Sequence, residues 1–75
     1  MHIEVKCYAT LAPRAPENAS AFPIAQGETV GGVMERIGIA GKDVKLVFVN
    51  GAKAELDRPL NQGDRLGLFP AVGGG

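Results

Sequence analysis

The chain has 75 residues, with eight Lys and Arg balanced by eight Asp and Glu. That length admits one domain with one compact core and excludes a cofactor domain beside a substrate domain. A formal charge of zero gives no electrostatic footprint for nucleic acid or an anionic membrane, so proteins are the expected partners.

In chain order, Ile3, Val5, Cys7, Ala9 and Leu11 alternate with His2, Glu4, Lys6, Tyr8 and Thr10, which predicts a half-buried first strand from His2 to Leu11. The segment around Pro13 and Pro16 loses two backbone donors and reads as loop with at most one helical turn. Phe22 and Ile24, followed by Gln26-Gly27, suggest a short second strand, which Pro23 places near a sheet edge. Thr29 caps a helix whose Val30, Val33, Met34 and Ile37 form one apolar stripe, and Gly38 ends it. Gly31 and Gly32 predict an irregular first turn, since each costs about 1 kcal/mol relative to alanine. Val44 to Val49 is an apolar strand, and Asn50-Gly51 suits a type I′ hairpin leading to a return strand over Ala52 to Leu56. Asn61-Gln62-Gly63-Asp64 makes a turn before a last strand, Arg65 to Phe69, which Pro70 stops.

No catalytic cluster emerges from this order. The single histidine, His2, reads as an exposed residue near the terminus. Cys7, on the apolar phase of a strand, reads as a small packing residue and excludes an internal disulfide or an all-cysteine metal site within one chain. Gly27 and Gly32 match half of a phosphate-binding loop, but Val33 and Met34 stand where that loop needs lysine and serine or threonine. Asn18-Ala19-Ser20 fits a glycosylation acceptor, yet Met1 to Lys6 lacks the features of a secretion signal and no run is long enough to span a bilayer. Cytoplasm is the expected compartment.

The unusual feature is the end, Ala71-Val72-Gly73-Gly74-Gly75. Glycines neither pack nor hold a conformation, so residues 71–75 are expected to be a flexible tail on a domain of residues 1–70. A frayed terminus or an expression remnant fits a glycine tail alone equally well. A side-chain-free end also enters a channel too narrow for any Cβ, and five extended residues reach roughly 17 Å. In the neighbouring strands, turning Val47, Val49, Leu66 and Leu68 inward puts Leu46, Phe48 and Phe69 on the opposite face. That predicts a docking patch of Leu46, Phe48 and Phe69, continuing through Pro70 and Val72 into the tail, unless a loop or the tail covers it.

With these pieces in hand, the chain resembles the MoaD/ThiS family of β-grasp sulfur carriers over nearly its whole length. The resemblance rests on Glu28-Thr29-Val30, on Val47-Phe48-Val49-Asn50-Gly51, on Leu56 through Asp64, and on Leu68-Phe69-Pro70-Ala71-Val72-Gly73-Gly74-Gly75. It implies an α+β fold with a mixed sheet of four to five strands packed on one main helix. It also implies a carrier rather than an enzyme, with no cofactor bound to the chain itself. An adenylating partner of the ubiquitin-activating type, using ATP and magnesium, would activate the Gly75 carboxylate, and a persulfide donor would convert it to a thiocarboxylate. Gly73 and Gly74 lead to that carboxylate. A larger synthase subunit would then accept the sulfur for molybdopterin. The ending Val72-Gly73-Gly74-Gly75 looks more like a thiamine carrier, whereas Leu56 to Asp64 and Leu68-Phe69-Pro70 look more like the molybdopterin side. Attachment of Gly75 to lysines of other proteins, and a plain interaction module of the same fold, are the remaining alternatives.

Overall fold

In the computed structural model, which describes residues 1–71, the opening alternation forms strand β1 (His2–Cys7), with Ile3 and Val5 buried. The strand stops at Cys7 rather than Leu11. The Tyr8 N–H still donates to the Leu68 carbonyl at 3.0 Å, but Ala9 takes a φ of 51° and the chain winds into a 3₁₀ helix, Ala9–Arg14. Leu11 is buried from that helix, so a period-2 pattern that looked like strand is completed by a turn. A second 3₁₀ turn, Ala19–Ala21, precedes β2 (Phe22–Pro23), giving the proline segment more helical structure than the single turn expected.

Helix α1 (Val30–Ile37) begins where Thr29 Oγ1 accepts the Gly32 N–H at 3.1 Å and ends at Gly38, whose φ is 89°. Its first turn is regular despite the two glycines, because distant backbone completes it. The Val30 and Gly31 N–H groups donate to the Arg58 and Leu56 carbonyls at 3.0 and 2.8 Å, satisfying donors that a helix start leaves open. A Cβ on Gly31 would lie 3.2 Å from the Leu56 carbonyl oxygen, so glycine is what permits the approach.

Strands β3 (Val44–Val49), β4 (Ala52–Lys53) and β5 (Arg65–Pro70) complete a five-stranded sheet of order β2-β1-β5-β3-β4. Only β1 and β5 run parallel. Asn50 and Gly51, at φ 54° and 83°, make the tight turn into β4. That return strand is shorter than expected, since the chain leaves the sheet to bring Leu56 to the helix. One face of the sheet buries Val47, Val49, Leu66 and Leu68 with Val30, Val33 and Met34 of the helix, and Leu60 closes the same cluster. This is the α+β arrangement of a mixed sheet around one helix that defines the β-grasp fold. No helix among the described residues is long and apolar enough to cross a membrane. Val72, Gly73, Gly74 and Gly75 lie outside the described residues, and the expectation of a mobile tail falls there with them.

Two polar clusters tie the loops to this frame. Glu28 accepts from Arg36 Nε and Nη2 at 2.7 and 2.9 Å and from the Ala25 N–H at 3.0 Å. Arg36 also donates to the Pro23 carbonyl and lies 4.7 Å over the Phe22 ring, joining β2 to the helix. Hydrogen bonding from Arg36 holds the Glu28 carboxyl below its usual 4.5, against the opposing effect of its partial burial. At the other end, buried Asp64 accepts from Asn50 Nδ2 at 2.9 Å and from the Asn61 N–H at 2.8 Å, while Asn50 Oδ1 accepts the Arg65 N–H at 2.9 Å.

A folded-state carboxyl with a lowered pKa contributes stability above its unfolded pKa and loses it as pH falls through the folded value. The stability gap between the native chain and Arg36→Gln, read by urea melts, should therefore be full near pH 7 and shrink steadily below about pH 4.5, the usual carboxylate region. Replacing Asn50 by Ala strips Asp64 of a donor and places alanine at positive φ. Thermal melts should show a loss of about 2 kcal/mol.

Candidate functional site

The outer face of the sheet, opposite the helix, is set by register. Residues directly opposite each other on paired strands share a face. Lys6 of β1 pairs with Gly67 of β5, Gly67 with Phe48 of β3, and Phe48 with Lys53 of β4. The next rows place Glu4 opposite Arg65 and Leu46 opposite Phe69. A one-residue irregularity lies between Val44 and Leu46, upstream of the part of β3 that carries Phe48, so the expected inward and outward phases hold from Leu46 onward.

Aromatic rings dominate this face. The Tyr8 and Phe69 rings stack with centroids 4.2 Å apart and planes 4° from parallel, and Phe48 meets Phe69 edge-on at 5.5 Å and 83°. Offset stacks and edge contacts of this kind contribute about 0.5–1.5 kcal/mol each beyond the area they bury. Tyr8, 39% exposed, is the most open of the three, while Phe48 and Phe69 are half-buried. Beside the rings lies an open cavity of about 480 Å³, lined by Lys6, Tyr8, Phe48, Arg65, Gly67 and Phe69 among others.

Of the residues expected to contact partners, Leu46, Phe48, Phe69 and Pro70 lie together at this end of the sheet, all half-buried. Val72, Gly73, Gly74 and Gly75 fall outside the described residues. The chain leads toward them from a fixed point. Pro70 pairs with Val44, and the Ala71 N–H donates to the Asp43 carbonyl at 3.0 Å, so the backbone stays tied one residue past the proline expected to stop it.

Tyr8 was not foreseen in the patch. It sits on the polar phase of the first strand, and only the β1–β5 pairing reveals that this phase shares a face with Phe69. Cys7 packs half-buried against the core, and burial pushes its thiol pKa up against the lowering effect of the Arg14 charge. A raised pKa keeps a thiol protonated and a poor nucleophile. Among the described residues, no three His, Cys, Asp or Glu side chains come together as a metal site.

Comparison with known proteins bears on this arrangement. The model of the ThiS family matches residues 5–75. The chain is similar to the solved structure of SAMP1 from Haloferax volcanii, with 27% identity, a TM-score of 0.72 and coverage of 100% of both chains. It is likewise similar to a structure of H. volcanii small archaeal modifier protein 1, with 27% identity, a TM-score of 0.71, and 95% of this chain and 98% of that one covered. No curated protein sequence matches.

The two phases of β3 differ enough to be separated by substitution. Val47→Asp would bury a carboxylate at a position 6% exposed and should leave the chain unfolded by circular dichroism. Phe48→Asp, one residue along, should keep the fold with a loss of about 1–2 kcal/mol, mostly from the contact with Phe69.

Proposed function

We propose, from the premise that the chain belongs to the ThiS family of small ubiquitin-like proteins, that it is a cytoplasmic sulfur carrier whose working group is the Gly75 carboxylate and whose sulfur goes to molybdopterin. The observation that carries the reading is the central position of β5. Held between β1 and β3, that strand ends at Pro70 beside the Tyr8–Phe69 stack, and Ala71 and Val72 lead from it in sequence to the three glycines. A partner docked on the outer face is thereby next to the stretch that leads, through Ala71 and Val72, to three residues without side chains.

The chemistry follows from what a carboxylate lacks. Its charge repels nucleophiles and it has no leaving group, so activation comes first. Attack of the Gly75 carboxylate on the α-phosphorus of ATP, with magnesium on the phosphates, releases pyrophosphate and leaves an acyl-adenylate. The terminal sulfur of a persulfide displaces AMP to give an acyl disulfide. A second thiol then takes the outer sulfur, leaving the Gly75 thiocarboxylate and a disulfide. The chain itself supplies the acceptor, the reach of Gly73 and Gly74, and the docking face of Tyr8, Leu46, Phe48 and Phe69. Catalytic groups belong to the adenylating enzyme, the sulfur donor and a larger synthase subunit.

The likeness to small archaeal modifier protein 1 supports a second reading, in which the same acyl-adenylate is passed to lysines of other proteins. The two readings share activation and part at the acceptor. The carrier ending Val72-Gly73-Gly74-Gly75 also suits thiamine assembly.

Incubation with the adenylating enzyme of the same organism, ATP, magnesium and a persulfide donor should raise the intact mass by the difference between sulfur and oxygen, with fragmentation placing the change on Gly75. A chain ending at Gly74 is about 3.5 Å shorter and should react far more slowly, because productive attack needs atoms placed within roughly an ångström. Conjugates to lysine appearing in place of the thiocarboxylate would select the modifier. An unmodified chain, with an enzyme that activates another carrier, would end both readings.

A further inference from the structure

We infer that the hollow over Gly67 is a socket for one bulky apolar side chain of a protein partner, whose flanking residues are acidic. The inference rests on the reading that the outer sheet face docks proteins, and it specifies what that face selects.

Gly67 is the starting point. A glycine inside a strand weakens it and often marks a close approach by another molecule. This one has no backbone need to be glycine, since it is absent from the positive-φ positions Gly27, Gly38, Gly51 and Gly63. Nor does space forbid a side chain, because an added Cβ would meet Tyr8 Cε2 at 3.4 Å and the Phe69 ring at 3.9 Å, which are ordinary contacts. The missing side chain instead leaves a floor below the rings of Tyr8, Phe48 and Phe69. The cavity there, about 480 Å³, falls within the range of roughly 300–1,000 Å³ typical of binding pockets.

The rim gives the chemistry of the visitor. In a chain of zero formal charge, the hollow itself is lined by Lys6 and Arg65 against Glu4, and Lys53 adds a third cation on the same face at the far end of the row. Among the described residues, the ion pairs are Arg14 with Asp43 and Arg36 with Glu28, both elsewhere, so the rim cations are not neutralised by a carboxylate contact. Lys6 and Lys53 end the row that runs through Gly67 and Phe48. Three strand spacings separate them, roughly 14 Å. One phosphate cannot touch both, whereas carboxylates on either side of an inserted side chain can. The Tyr8 and Phe69 rings also lie against each other, leaving no slot between them for a base. Separated cations around a hollow walled by aromatic rings fit a protein surface better than a nucleotide.

The test needs neither Gly75 nor an activating enzyme. The isotopically labelled 75-residue chain is titrated with a hexapeptide whose Leu-Phe centre is flanked by Asp and Glu, with the same centre flanked by Lys, and with AMP. Saturable amide shifts at Gly67, Phe48, Lys6 and Lys53 are expected with the acidic peptide alone. Gly67→Ala should weaken that binding about fivefold while the melting temperature stays level or rises, since a methyl raises the floor of the hollow and a strand glycine is removed. The double variant Lys6→Glu, Lys53→Glu should weaken it about tenfold with the fold intact, and added salt should weaken the native complex. Equal binding of both peptides, shifts elsewhere, stronger shifts with AMP, or no saturable binding would each overturn the socket. A chain that gains sulfur at Gly75 yet fails here remains a carrier without the socket, and the reverse result keeps the socket and removes the carrier.

Discussion

The constraint on which the rest of the molecule depends is the two-sided pairing of β5. Its residues bond β1 in parallel and β3 in antiparallel register, so neither edge of the strand faces solvent. Parallel neighbours in a sheet cannot be joined by a tight turn, and here nearly the whole chain forms the connection between β1 and β5. Leu66 and Leu68 point into the core from that strand, and Gly67 and Phe69 point outward. One pairing therefore fixes the core, the outer face and the point from which the last residues leave. An edge strand could not do this, because fraying there would move the exit and the face together.

The helix is finished by non-local backbone in a comparable way. A helix with glycines at its second and third positions is a poor candidate by propensity, each glycine costing about 1 kcal/mol. The N–H groups of Val30 and Gly31 are instead satisfied by carbonyls of Arg58 and Leu56, and the Leu60 N–H answers to the Glu28 carbonyl at 2.8 Å. The segment between β4 and β5 thus closes over the helix start and delivers Leu60 to the core, where it is 1% exposed. Shortness of β4 is the structural consequence.

These two features explain what the sequence made legible. Alternation within His2–Cys7 and Arg65–Pro70, the Asn50-Gly51 pair, and the stripe of Val30, Val33 and Met34 are local signals with one physical solution each, and they are where they were expected. The outward phase of Leu46, Phe48 and Phe69 was readable for the same reason. Where the outcome turned on distant partners, the local signal misled. Leu11 continues the strand alternation but is buried from a 3₁₀ helix, and the helix start looked irregular because the carbonyls that complete it are 25 or more positions away. Tyr8 and the cation rim share that limit, since a residue's face is local but its neighbours across a sheet depend on strand order.

On the carrier reading proposed above, the division between the body of the domain and its last residues has a functional logic. A group meant to be passed between enzymes cannot carry its own catalytic side chains into each active site, because they would have to suit every partner. Side-chain-free residues remove that conflict and move recognition onto the body of the domain. There the requirement is reversibility, since a carrier that stays bound delivers nothing. A small aromatic face with a hollow at Gly67 and separated cations meets it. The rings supply a limited desolvated contact, and the exposed charges speed and orient encounter more than they add lasting affinity. Because zero net charge gives no long-range pull of one sign, the local excess of Lys6, Lys53 and Arg65 would, on that reading, orient the molecule as it approaches an acidic surface. On the same reading, the approach that presents this face also presents Ala71, whose N–H is tied to the Asp43 carbonyl at the end of β5.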